Sequence, residues 1–130
     1  MKEFKGRLFR KEVTLKNGNR FDTWFVAYKN VQGSVAYMDV TLSNDVKRGV
    51  YALLGKDRHI DVQLLCGQSK EDKGTQECFV CYKTDKENKV IRNKDGNPIK
   101  KLVIVSLGVE NLIKDLDLPS KPKEDLTSDF

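Results

Sequence analysis

The sequence predicts an all-β fold: a five-stranded Greek-key barrel with one short helix between strands 3 and 4 and a long hairpin arm before strand 5. Three observations predict it. Apolar and polar residues alternate with period two through most of the chain. Glycine-containing turn dipeptides separate the alternating runs. One segment alone breaks the rhythm with helical spacing. A chain of 130 residues is long enough to bury a single core.

Residues 2–10 alternate, with Phe4, Gly6 and Leu8 inward against Lys5, Arg7 and Phe9. Asn17-Gly18 then offers a type I′ hairpin turn, which needs φ > 0 at both central positions. Phe21 to Lys29 is aromatic and β-branched, hence strand-like. Its two faces are Phe21, Thr23, Phe25, Ala27 and Asp22, Trp24, Val26, Tyr28. The first is small and apolar, and the second ends among charges, so the first is assigned to the core. Gln32-Gly33 turns the chain into Ala36 to Leu42, with Ala36, Met38, Val40 and Leu42 inward and Tyr37 outward. Ser43 to Gly55 has polar capping residues at its head, apolar Val46, Val50, Leu53 and Leu54, and a closing glycine, which predicts a short helix. Arg58 to Gly67 alternates again, with Ile60, Val62, Leu64 and Cys66 inward. Gly67 to Ile99 reads as the arm: a loop at 68–76, a strand at 77–83, a return at 90–92 and a second type I′ turn at Asp95-Gly96, with Pro98 at a strand start or edge. Lys101 to Leu107 is a near-continuous apolar strand. Beyond Asn111 the periodicity stops, and Pro119 and Pro122 end regular structure.

A helix between the third and fourth of five short strands suits the OB-fold, in which it plugs the barrel bottom. An open sheet with one helix on a face is the alternative. The domain is expected at 1–114 and a flexible acidic tail at 115–130. The tail carries five carboxylates and two lysines, a net charge of −3, so the +5 of the whole chain leaves +8 on the body. A cationic body attracts polyanions. There is no apolar run of the ~20 residues that span a bilayer. The charged N-terminus does not read as a signal peptide, so a cytoplasmic protein with no membrane partner is expected.

In this barrel the first three strands are neighbours. Their outer surface is expected to show Phe9, Trp24, Tyr28 and Tyr37 among Lys5, Arg7, Arg20 and Lys29. Aromatic rings stack on the bases of single strands and cations track the phosphates, without reading base edges. The same aromatics could instead complete the core. The arm adds many lysines, as a basic finger or a solvated hairpin. His59, Cys66, Cys78 and Cys81 form a possible zinc set, but Cys78 and Cys81 point to opposite faces if the segment is a strand. No metal or cofactor is assigned. One histidine, no triad and no phosphate-binding glycine loop leave no catalytic expectation.

These features together resemble the single-stranded DNA-binding proteins of replication and recombination. The basic OB-type body, the helix, the arm and the acidic tail ending in Asp129-Phe130 carry the resemblance. Its size and the lack of a long Gly/Gln linker make it more similar to a bacteriophage version (lactococcal-phage-like) than to a bacterial housekeeping one. The likeness covers the whole chain as an order of elements, with no sharp motif. Family tails are denser in acid and commonly end in Pro-Phe; here Leu126-Thr127-Ser128 dilutes the charge and no proline precedes Phe130. The resemblance implies sequence-tolerant binding of single-stranded DNA, a homo-oligomer, and replication or recombination partners held by Asp125, Asp129 and Phe130. A phage-encoded protein would work in the host cytoplasm. A protein-interaction adaptor, an RNA-binding barrel and a metal-dependent enzyme domain remain alternatives.

Overall fold

The computed structural model describes residues 2–55, 58–67, 76–114, 116 and 118. The chain is mainly β. Strands β1 (Lys2–Thr14), β2 (Arg20–Lys29) and β3 (Val35–Leu42) precede helix α1 (Asn44–Leu54), and β4 (His59–Gly67), β5 (Cys78–Tyr82) and β6 (Lys100–Ile104) follow it. The six strands bond in a closed ring in the order β1-β2-β3-β6-β5-β4. This is one strand more than expected. The apolar island at Cys78 to Tyr82, read from sequence as the first leg of the arm, is a wall strand between β4 and β6. Its inward residues explain why: Cys78 is fully buried and Val80 packs on the core.

Ring closure depends on β1, the longest strand. Its first half pairs with β4 (Lys2 to Phe9) and its second half with β2 (Arg7 to Thr14). Gly6 lies just before the overlap. A Cβ there would stand 2.6 Å from Val26 Cγ2 and 3.0 Å from the Ala27 carbonyl oxygen. The close approach of the β2 backbone requires glycine at this point.

The inward rows are those the alternation predicts for β1, β3 and β4. Leu8, Met38, Val40, Ile60, Val62 and Leu64 share the core with Leu102 and Ile104. Helix α1 closes one end of the barrel through Val46, Val50 and Leu54. It forms where expected, because the Ser43 side chain accepts from Val46 N at 3.4 Å and Gly55 stops it with φ 55°.

The face assignment of β2 is reversed. Trp24 and Val26 lie in the core, and Phe25 and Ala27 face outward. Trp24 packs edge-on against Tyr51 of α1, with ring centroids 5.5 Å apart. Asp22, whose charge argued against an inward row, sits where the β1–β2 hairpin runs past the closed ring, and there the Tyr51 hydroxyl donates to it. A charge at a strand end does not decide which way the strand's middle faces.

The turns also differ from expectation. Gly18 and Gly96 have φ of 86° and 80°, but Asn17 and Asp95 do not have positive φ, so neither turn is type I′. In each, one left-handed residue stands fourth in a five-residue loop closed by backbone hydrogen bonds. This is a type I turn followed by a bulge. The turns at 30–34, 85–89 and 93–97 share the form, with Gly33, Asn88 and Gly96 in the fourth place. In these three the first residue is Asn30, Asp85 or Asn93. Its Oδ1 accepts from the amides two and four residues on, at 2.8–3.0 Å. That bridging satisfies amides the bulge would otherwise leave open.

The arm is therefore a meander of two such turns. Lys83, Ile91 and Ile99 are bonded in series across its base: Lys83 N donates to Ile99 O, Ile91 N to Lys83 O, and Ile99 N to Ile91 O. Beyond β6, a short 3-10 turn at Val109–Asn111 is pinned back by Asn111, whose Nδ2 donates to Gln63 O at 3.0 Å and to Glu77 Oε2 at 2.8 Å. No described helix is long and apolar enough to cross a membrane.

Candidate functional site

A groove of about 720 Å³ lies between the barrel wall and the arm. One side is Tyr28 at the end of β2 and Tyr37, Met38 and Asp39 in the middle of β3. The other is Lys83 and the turn from Ile91 to Lys100. In register, Ala27 faces Tyr37 and Tyr28 faces Ala36. Tyr28 thus belongs to the inward row and Tyr37 to the outward row, and the groove straddles the rim of the wall. Both rings are half-buried. Tyr28 rests on Phe4, with ring centroids 5.5 Å apart. Burial holds its hydroxyl above the ordinary tyrosine range.

The charged lining is Lys83, Arg92, Lys94 and Lys100 against Asp39 and Asp95. Lys83 is ion-paired with Asp39, which ties the base of the arm to β3. Arg92 donates from Nη1 to Gly96 O at 2.9 Å, which sets its guanidinium within its own turn. The groove thus combines two aromatic rings with an excess of cations over carboxylates. Nothing in it resembles a nucleophile with a base. Among the described residues there is no grouping of three or more metal ligands. Cys66, Cys78 and Cys81 are free thiols. Cys66 and Cys78 face each other across β4 and β5, and burial raises the Cys78 thiol far above its usual range.

Of the residues the sequence singled out, the groove gathers Tyr28 and Tyr37. Trp24 is 5% exposed, and as a core residue it is closed to stacking. Phe9 faces outward as expected but is 1% exposed, stacked on Phe25 at 5.1 Å and flanked by His59. Tyr37 packs against this outer pair. Arg7 is outward too, but its guanidinium is taken up. Asp61 accepts from Nε at 2.7 Å and Nη2 at 3.0 Å, and the carbonyls of Leu118 and Leu116 accept at 2.8 and 3.3 Å. The hydrogen bond to Asp61 raises its pKa further. Arg20 stands at the far end of the β1–β2 hairpin, 3.5 Å from Glu12 and largely exposed. Lys5 and Lys29 line a separate hollow with Phe4, Tyr28, Leu116 and Leu118. Asp125, Asp129 and Phe130 lie outside the described residues.

The sequence reading did not single out the arm residues Arg92, Lys94 and Lys100 as site residues. A signal was present. Asn93 stands three residues before Gly96, and that spacing marks a tight, ordered turn that fixes the basic residues around it.

Neither a protein-family model, nor a curated protein, nor a solved structure matches this chain.

Proposed function

We propose that the groove between the arm and the β2–β3 rim binds single-stranded nucleic acid, DNA in the first place, with little sequence preference. The observation that carries this reading is the convergence of Tyr28 and Tyr37 with Arg92, Lys94 and Lys100 around one open groove. Two rings offer stacking faces for successive bases, and the arm cations lie where a backbone would pass. Duplex bases are already stacked on each other and cannot reach such rings. The same reading takes the barrel as an OB-type fold. The helix between β3 and β4 supports it. So does the strand order, which without β5 becomes the five-stranded ring β1-β2-β3-β6-β4. By this reading the protein coats single strands in replication or recombination.

The test is fluorescence anisotropy of labelled oligo-dT against a duplex of equal length, at two salt concentrations. Tight binding to oligo-dT that weakens with salt, with weak duplex binding, is the expected result. Equal affinity for both would replace base stacking by general charge attraction, and no affinity for either would leave the groove to a protein partner. Oligo-rU in parallel separates DNA from RNA preference, because stacking alone does not.

A further inference from the structure

The binding groove does not end at the Lys83–Asp39 pair. On its far side the same two residues line a second trough of about 340 Å³, shared with Thr23 and Thr41 of the β2–β3 wall, Thr84 of the arm, Lys47 of α1 and Lys101 of β6. We infer that this trough is a subsite for the sugar–phosphate backbone, taking the phosphates of the strand that leaves the aromatic groove. The inference rests on the single-strand reading above and extends the site to residues that reading does not use.

The chemistry of the two compartments differs. The groove offers tyrosine rings. Trp24, the one aromatic residue lining the trough, is buried in the core and T-stacked on Tyr51, so the trough has nothing exposed for a base to stack on. It offers ammonium and hydroxyl donors instead, which suit phosphate oxygens and sugar hydroxyls. Lys83 offsets the charge of Asp39, and Asp22 accepts from Tyr51. Among the described residues Lys47 and Lys101 make no ion pair. Both are half-buried, Lys101 by its register opposite Asp39 and Lys47 by its place in the first turns of α1. Two lysines held in a trough lose less side-chain freedom on meeting a phosphate than two free surface lysines do. The floor from Tyr37 to Thr41 runs along β3 for about 13 Å at ~3.3 Å per residue, so the trough extends the path rather than duplicating it.

The experiment compares the Lys47→Ala/Lys101→Ala double variant with the unaltered protein on oligo-dT of about 4 and about 12 nucleotides, a short and a long strand within the ~4–16 nucleotides that one OB-type barrel occupies. The expected result is unchanged affinity for the short strand and weaker binding of the long one. The slope of log affinity against log salt should fall by about 1.4 for the long strand, at ~0.7 per phosphate contact. A Lys86→Ala/Lys89→Ala variant removes the same charge from an exposed arm turn and should leave that slope unchanged. The inference is overturned if the long-strand slope is the same in the trough variant, or if both variants lower it equally. If the unaltered protein binds neither strand, the groove reading fails and the trough with it. If it binds both and the trough variant behaves like it, only the trough fails.

Discussion

Along the barrel wall, Trp24, Val26, Leu102 and Ile104 are shut away from water. Along the arm, no residue from Thr84 to Asn97 is fully buried. The wall is held by packing, which punishes any change in volume. The arm is held by backbone ladders and by side chains that bridge their own turns, Asp85, Asn93 and Arg92 among them. Local opening is cheap in such segments and expensive in cores. The proposed site lies where the two meet, with rigid tyrosines on one side and a looser basic flap on the other. Under the proposed reading, the wall sets the spacing of the rings and the arm carries the cations.

Substitutions can break this contrast or sharpen it. The largest effect belongs to the wall. Trp24→Ala should destabilise the fold by about 3–5 kcal/mol, read as a lower denaturation midpoint. A stable variant with altered DNA binding would return Trp24 to the surface and undo the corrected face of β2. Gly6→Ala comes next, at about 1–3 kcal/mol, because the new Cβ must displace Val26 or the β2 backbone. Tyr37→Ala tests the meeting point. Loss of one stacked base should weaken oligo-dT binding by about 1–3 kcal/mol, with the fold intact by its unfolding curve. Asn93→Ala tests the arm. Faster hydrogen exchange at the Asp95 and Asn97 amides is expected, with global stability changed by no more than about 0.5 kcal/mol. A cooperative loss of the whole fold would show that arm and barrel are one unit.

A separate effect is a pH dependence at the junction of α1 with β2. The Tyr51 hydroxyl is pushed up to about 12, by burial first and then by its hydrogen bond to Asp22 and that carboxylate's charge, against the opposing charge of Arg10. Unfolded tyrosine titrates near ~10. A folded-state pKa above the unfolded one means stability fully present below the unfolded value and lost as pH rises through the folded value. Stability should therefore fall between these two pH values, and Tyr51→Phe should reduce that fall.

Much of the fold was legible because alternation is a strong signal wherever one face is buried. The inward rows of β1, β3 and β4 and the capped helix follow from it. The face of β2 was not, because the charges at its ends were taken to mark the outer row, and the expected turn agreed with that choice. A two-residue loop at Asn17-Gly18 would pair Lys16 with Asn19 and so Phe9 with Val26. The actual loop bonds Leu15 to Asn19, and Phe9 faces Phe25. One residue of register turns every side chain of a strand over, so the two-residue turn expected at Asn17-Gly18 would by itself have turned β2 the same wrong way as the reading from composition and charge. The site was half legible. Tyr37 followed from alternation, and Tyr28 reached the groove only because it lies at the rim. Arg7 and Phe9 were correctly placed outward, but their partners Asp61 and Phe25 come from other strands and are set by long-range register. The role of Cys78 to Tyr82 as a wall strand was hidden because its pairing with β4 is parallel and its pairing with β6 spans the arm, so no tight turn signals either one.

The most direct test of the central claim is the change in backbone amide resonances of the protein on adding oligo-dT. The account predicts shifts concentrated at Tyr28, Tyr37, Lys83 and residues 91–100, with little change along the Arg7–Asp61 face of β1 and β4. Shifts confined to the β1–β4 surface, around Arg7 and Asp61, would contradict it and move the binding surface away from the arm.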